Sequence, residues 1–391
     1  MLQRVRIQNF KSLKDVTLDL QKVNLFIGPN NSGKSNFFKG LELLANIEKN
    51  FIDNENLGLW FKISDIFEKN KANEVLFSLT MDKVQPNNKQ NKASLGIKFG
   101  EYKSNKISNF NETGLFISNF DFWQDALLGE NQVKRFMDIE DSFFPIRYYF
   151  SEYFKNVEIY KPNPTKLVSP FPILPDQSIV NSDASNLIAF FDTLRDKYPD
   201  NFKSIESDLT KCIPELSGLR FENVEVKPDQ DLFKIYGDKT FKRLGIFDQI
   251  KKITYWADEV SEGVLYFLAL LCIVHQPNPP KLLLLEEPEK GIHPRRIHEV
   301  MKFIFQLAED KDIQVIMTSH NEHVLQEFRL NPEAVFIFDK DEEGATFVKN
   351  LQKDVIEPDT QKAIEFGVEP IDYLDNMGES WFMGLMGGVP A

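Results

Sequence analysis

The sequence predicts an α/β fold in which a mixed central sheet is interrupted by an inserted, mainly helical lobe. Three observations carry that prediction. A short apolar strand, Val23-Asn24-Leu25-Phe26-Ile27, runs through a glycine-containing turn into a segment with apolar residues at helical spacing. Far downstream, Lys281-Leu282-Leu283-Leu284-Leu285 is uniformly apolar, as a parallel strand covered on both faces must be. Between them, from about residue 50 to 245, regular rhythm is lost, and polar stretches such as 86–92 and the Pro-rich 161–175 intervene.

In chain order, Val5 and Ile7 alternate over 4–9, and Val16, Leu18 and Leu20 over 15–20, which predicts a strand pair. Phe37, Leu41 and Leu44 place a helix over 36–49. Within the irregular region, Leu187, Phe190, Phe191 and Leu194 share a helical face after a Ser/Asp/Asn start, predicting a helix over 183–197. Regular rhythm returns near Ile250. Ile297, Val300, Met301 and Ile304 predict a helix over 294–309, then a strand over 314–317, a helix after His320, and a strand pair around 335–338 and 346–348 turned by Glu343-Gly344. The expected division is 1–99 and 250–350 for the two parts of the head, 100–249 for the inserted lobe, and 351–391 for a helical tail.

Hydrophobic residues make up 42% and charged residues 27%, a composition that folds. The longest apolar run, Val264 to Val274, falls short of the roughly 20 residues that cross a bilayer, and no signal-peptide core opens the chain. Cys212 and Cys272 give no disulfide framework and no metal-ligand spacing, so a reducing cytoplasm and no membrane are expected. With 46 Lys+Arg against 59 Asp+Glu, the formal charge of −13 opposes non-specific adhesion to nucleic acid, while leaving room for a local basic groove.

Gly28-Pro29-Asn30-Asn31-Ser32-Gly33-Lys34-Ser35 fits the phosphate-binding loop pattern and stands between a strand and a helix, where that pattern works. Its glycines let backbone N–H groups converge on phosphate, Lys34 supplies a point charge to the β and γ phosphates, and the Ser35 hydroxyl suits Mg²⁺. Glu286 and Glu287 end the apolar strand at the edge where open α/β sheets bind ligands. Adjacent strand residues face opposite ways, so Glu286 is assigned to the magnesium side, through water, and Glu287 to polarising the attacking water. Ser261-Glu262-Gly263 opens a helix and reads either as an ordinary N-cap or as an anion site; its place ahead of Glu286, in a chain with a phosphate loop, favours the latter. His320, in Thr318-Ser319-His320, follows a strand and can hydrogen-bond a γ-phosphate or the lytic water. His293 fits a helix start and a functional role equally.

These motifs occur in the order found in ABC-type P-loop ATPases, and the chain resembles their RecF, SMC and OLD-like branch. Val5-Arg6-Ile7-Gln8-Asn9-Phe10-Lys11-Ser12-Leu13, the loop through Asn36, Asp183-Ala184-Ser185-Asn186-Leu187, Gly291-Ile292-His293-Pro294 and the stretch from Gly378 to Pro390 carry the likeness across nearly the whole chain. The resemblance implies an ATPase head that binds ATP and Mg²⁺ and forms a homodimer around two ATP molecules. It implies Ser261 and Gly263 acting on the partner copy's nucleotide, Glu287 as general base and His320 as switch histidine. Two positions depart from the family pattern: Glu286 stands where Asp is commoner, and Val264 replaces a polar residue. No glutamine-loop residue is placed after Trp60.

Too little chain follows His320 for the TOPRIM nuclease domain of OLD proteins, so a nuclease would be a separate effector. The expected function is therefore ATP-driven regulation of such an effector in bacterial anti-phage defence. The alternatives are a DNA-binding repair clamp of RecF/SMC type and a non-catalytic nucleotide-gated scaffold; Ser-Glu-Gly and the long insertion disfavour a transporter subunit.

Overall fold

The computed structural model describes residues 1–53, 74–84, 90–101, 115–117, 152–228 and 230–389. Of the expected 100–249 lobe, residues 102–114, 118–151 and 229 lie outside the described residues, as does 54–73 around Trp60.

At the centre is a six-stranded mixed sheet in the order Thr346–Asn350, Val335–Lys340, Val23–Ile27, Gln314–Thr318, Leu282–Glu286 and Ile159–Tyr160. The first pair is antiparallel and the rest run parallel. Uniform apolarity has its expected cause, because this sheet lies between two cores and alternate side chains enter opposite ones. Leu25, Ile27, Leu283, Leu285, Val315, Met317 and Ile337 enter one core, and Phe26, Leu282, Leu284, Ile316, Phe336 and Phe338 enter the other.

The helix Lys34–Asp53 and an antiparallel five-stranded sheet cover the second core, the sheet running Leu13–Asp19, Leu2–Phe10, Glu74–Val84, Gln90–Glu101 and Leu115–Ile117. The opening strand pair is antiparallel, with Ile7 opposite Val16. Phe26 meets the rings of Phe37, Phe38, Phe336 and Phe338, which fixes the loop strand against the helix that follows it.

The first core is closed by Glu262–Val274, Pro294–Asp310, Leu187–Lys197 and Pro199–Cys212. Of the 13 residues of Glu262–Val274, 11 are buried, so the longest apolar run of the sequence is a core helix. Among the described residues, no helix is long and apolar enough to cross a membrane.

Within 152–256 the described chain also forms a four-stranded antiparallel sheet, with Phe241–Asp248 pairing Leu216–Val224, Ile253–Trp256 and Phe171–Pro172. The sequence did not announce it. The helix expected over 183–197 begins only at Leu187, because the side chain of Asn186 accepts from the Asn181 N–H and donates to the carbonyl of Ile179, folding 181–186 into a turn. The helix after His320 is five residues long, Glu322–Gln326.

Candidate functional site

The carboxyl ends of the parallel strands gather the predicted motifs around one cleft of about 330 Å³. It is lined by Asn30 through Asn36, Lys161, Glu286, Glu287, Thr318 and His320. Loop, paired acids and histidine thus come together, although three separate strands carry them.

The loop is built by two glycines in backbone conformations unfavourable for other residues, Gly28 at φ +135° and Gly33 at φ +111°. A Cβ on Gly28 would stand 2.1 Å from the Phe338 carbonyl oxygen, and one on Gly33 would stand 2.1 Å from Thr346 Oγ1. That threonine hydroxyl donates to the Ser32 carbonyl at 2.9 Å and contacts Ser12 Oγ at 2.8 Å, and Ser12 in turn accepts from Asn36 Nδ2. The loop is therefore braced by the first hairpin and by the last strand of the central sheet.

Lys34 is buried, and its Nζ donates to the carbonyls of Gly28 and Pro29 at 2.7 and 2.8 Å. Burial pulls its pKa down from 10.5 to about 8, against the opposing pull of Glu287 and Glu286. Glu286 pairs in register with Thr318 and accepts from Lys161 Nζ at 2.9 Å. Glu287 leaves the strand in the left-handed region, at φ +48°, while its N–H donates to the Thr318 carbonyl at 3.1 Å. Backbone held there by tertiary contacts is the kind of local strain found at functional sites. His320 Nε2 stands 4.0 Å from Glu287 Oε1, and its pKa is lowered by burial and by Lys34, partly offset by Glu287. Burial and the neighbouring ammonium thus favour the neutral ring.

Among the described residues, Ser261 and Gly263 do not line this cleft. Ser261 is the N-cap of Glu262–Val274, yet its side chain makes no capping hydrogen bond. Gly263 has a local reason to be glycine, since its Cβ would stand 2.5 Å from the Gly291 carbonyl oxygen. His293 proves to be a helix start, accepting from the Arg295 N–H at the N-cap of Pro294–Asp310.

Lys161 and Glu289 were missed by sequence reasoning. Lys161 follows a two-residue strand with no local signature, and Glu289 stands in the turn just past the paired acids, which drew the reading to themselves. The Lys34 ammonium and the Ser35 hydroxyl, beside a glycine-containing loop that opens a helix, suit a polyphosphate, and the hard oxygens of Ser35 and Glu286 suit Mg²⁺.

Comparison with known proteins bears on the fold and the family. The fold matches an SMC head bound to the C-terminal winged-helix domain of ScpA, at 14% identity and a TM-score of 0.52, covering 90% of this chain and 99% of that one. It also matches the Pyrococcus furiosus SMC head with an extended coiled coil, bound to the C-terminal domain of ScpA, at 12% identity and a TM-score of 0.51, covering 93% and 98%. No curated protein matches the sequence. Residues 171–326 fit the model described as AAA domain, putative AbiEii toxin, Type IV TA system. Residues 1–223, more than half of the chain, fit that of the AAA ATPase domain, and the protein belongs to that family, with an SMC-head fold of the ABC type.

Proposed function

We infer that this protein binds and hydrolyses ATP with Mg²⁺, closes as a homodimer around the nucleotide, and uses that cycle to regulate a separate effector, a nuclease, in anti-phage defence. The observation that carries the reading is the cleft where Lys34, Ser35, Glu286, Glu287 and His320 meet.

In this reading Asn30, Asn31, Ser32, Gly33 and Asn36 wrap the phosphates, Gly28 and Pro29 set the loop's entry, and Lys34 moves its charge from loop carbonyls to phosphate oxygens. Ser35 and, through water, Glu286 would hold Mg²⁺, which would supply neutralisation of the phosphate charge. Glu287 polarises the lytic water and neutral His320 hydrogen-bonds it or the γ-phosphate. Ser261 and Gly263 complete the partner copy's site. An uncapped serine at a buried helix's start supports this, because its hydroxyl is uncommitted within its own helix. The defence setting draws support from the match of residues 171–326 to the putative AbiEii toxin, Type IV toxin–antitoxin family.

The deciding experiment is Glu287→Gln. Hydrolysis should fall by about 10²–10³-fold, as loss of a general base does, while ATP traps a dimer visible by light scattering. A variant that turns over at the wild-type rate, or stays monomeric with ATP, would sink the reading. Co-purification with an effector tests the regulatory part, which fails if the homodimer alone protects cells fully.

A further inference from the structure

We propose that Glu289 is a positioning residue for the switch histidine, holding the Thr318–Ser319–His320–Asn321 turn from beneath through Ser319; this rests on the ATPase reading above. The geometry starts from a buried acid that no role yet explains. Glu289 is 7% exposed, and its Oε1 accepts from Ser319 Oγ at 2.5 Å. Ser319 is fully buried, and its Oγ accepts in turn from the Asn321 N–H at 2.9 Å. The backbone N–H of His320 also favours the charged carboxylate. Ser319 is therefore tied to Glu289 directly, and Asn321 through the Ser319 hydroxyl.

The turn that carries this acid is itself held by backbone hydrogen bonds at Glu287 and at Glu289. The Glu287 N–H donates to the Thr318 carbonyl, and the Ile292 N–H donates to the Glu289 carbonyl. Glu287 and His320 thus sit on two turns that meet at the Glu289–Ser319 contact, which sets the 4.0 Å separation between their side chains.

A structural filler would not need to be an acid. Among the described residues Glu289 Oε2 has no hydrogen-bond partner, and burial raises the carboxyl pKa to about 6. An apolar side chain would avoid that desolvation cost. What it would lack is an acceptor for the Ser319 hydroxyl.

The test compares Glu289→Leu, Glu289→Gln and Ser319→Ala in the full chain, with thermal melts as a folding control. For ATP hydrolysis, Glu289→Leu should lower kcat about tenfold or more and change KM less than about twofold, because the phosphate loop is untouched. Glu289→Gln keeps an acceptor for Ser319 and should recover most of that loss. Ser319→Ala should resemble Glu289→Leu, and the double variant should be no worse than either, as for two members of one contact.

A second readout needs no turnover. The His320 ring, assigned in NMR spectra by loss of its signal in His320→Gln, faces Lys34 and Glu287. In Glu289→Leu its titration should move up toward that of a free histidine as the turn loosens and the ring gains solvent. A His320 titration identical in wild type and Glu289→Leu overturns the proposal, as does a kcat unchanged in Glu289→Leu or equally impaired in the Leu and Gln variants. A folded wild type that hydrolyses no ATP instead removes the ATPase reading, and the NMR arm still decides the role of Glu289.

Discussion

Lys34 is the side chain whose chemistry is most exposed to test, because its environment works against its charge. Its folded-state pKa of about 8 lies below the ordinary 10.5, so between those values the unfolded chain binds the extra proton. Across that window the stability contributed by this group rises with pH, and below it the buried charge is a standing cost. Nucleotide phosphates reverse that balance by favouring the ammonium. ATP affinity should therefore be nearly flat below about pH 8 and weaken above it, approaching about tenfold per unit, with proton uptake on binding. Calorimetry in buffers of different ionisation enthalpy measures both; affinity unchanged between about pH 7 and about pH 9 would show that Lys34 is not the charge that meets phosphate.

At the scale of elements, the helix Glu262–Val274 carries two residues with separable jobs. Gly263 faces the Gly291–Ile292 backbone, whereas Ser261 makes no side-chain cap. Gly263→Ala should cost about 2 kcal/mol of stability, since the added methyl meets a backbone oxygen that cannot swing away. Ser261→Ala should change stability by less than about 0.5 kcal/mol while reducing ATP-dependent dimerisation. Denaturant melts and light scattering read the two effects, and a Ser261→Ala variant that dimerises normally would free this serine of any trans role.

What was legible at this scale follows from burial. Val23–Ile27, Leu282–Glu286 and Gln314–Thr318 are covered on both faces, so their apolarity is continuous and easily read. Leu216–Val224 and Phe241–Asp248 are not: Gly218, Arg220, Arg243 and Gly245 break their alternation. Arg243 stacks on Trp256 with 3.9 Å to the ring and Arg220 on Phe247, so charged residues help build this sheet's surface and blur its pattern. The loop, the paired acids and His320 were readable because each is adjacent in sequence to its strand. Lys161 and Glu289 owe their places to tertiary contacts, which no local pattern records.

Across the whole molecule, the C-terminal stretch gains the role its sequence withheld. Met377, Trp381 and Met386 are buried in the main core, and Trp381 Nε1 donates to the Gly388 carbonyl at 3.0 Å. Gly388 is thereby held so close that a Cβ on it would stand 2.5 Å from Ile337 Cγ2 and 3.5 Å from Gly28 Cα. At the other end of the stretch, the Met377 N–H donates to Gln326 on the helix that follows His320. Trp381→Ala should lower stability by about 3–5 kcal/mol and weaken ATP binding, while Phe382→Ala, on a side chain 81% exposed, should do neither. Thermal melts and ATP titrations of the two variants check this; equal behaviour would separate the stretch from the loop it touches.

The strand Val23–Ile27 is flanked in the sheet by Gln314–Thr318 and Val335–Lys340. On the ribosome, the segment destined to grip nucleotide emerges long before its neighbours on both edges. Closing so long a span of chain is slow, and until it closes the early strand has no sheet to join. Newly made protein thus acquires its nucleotide grip only once Val335–Lys340 has been made, and fragments abandoned before that strand are born without it.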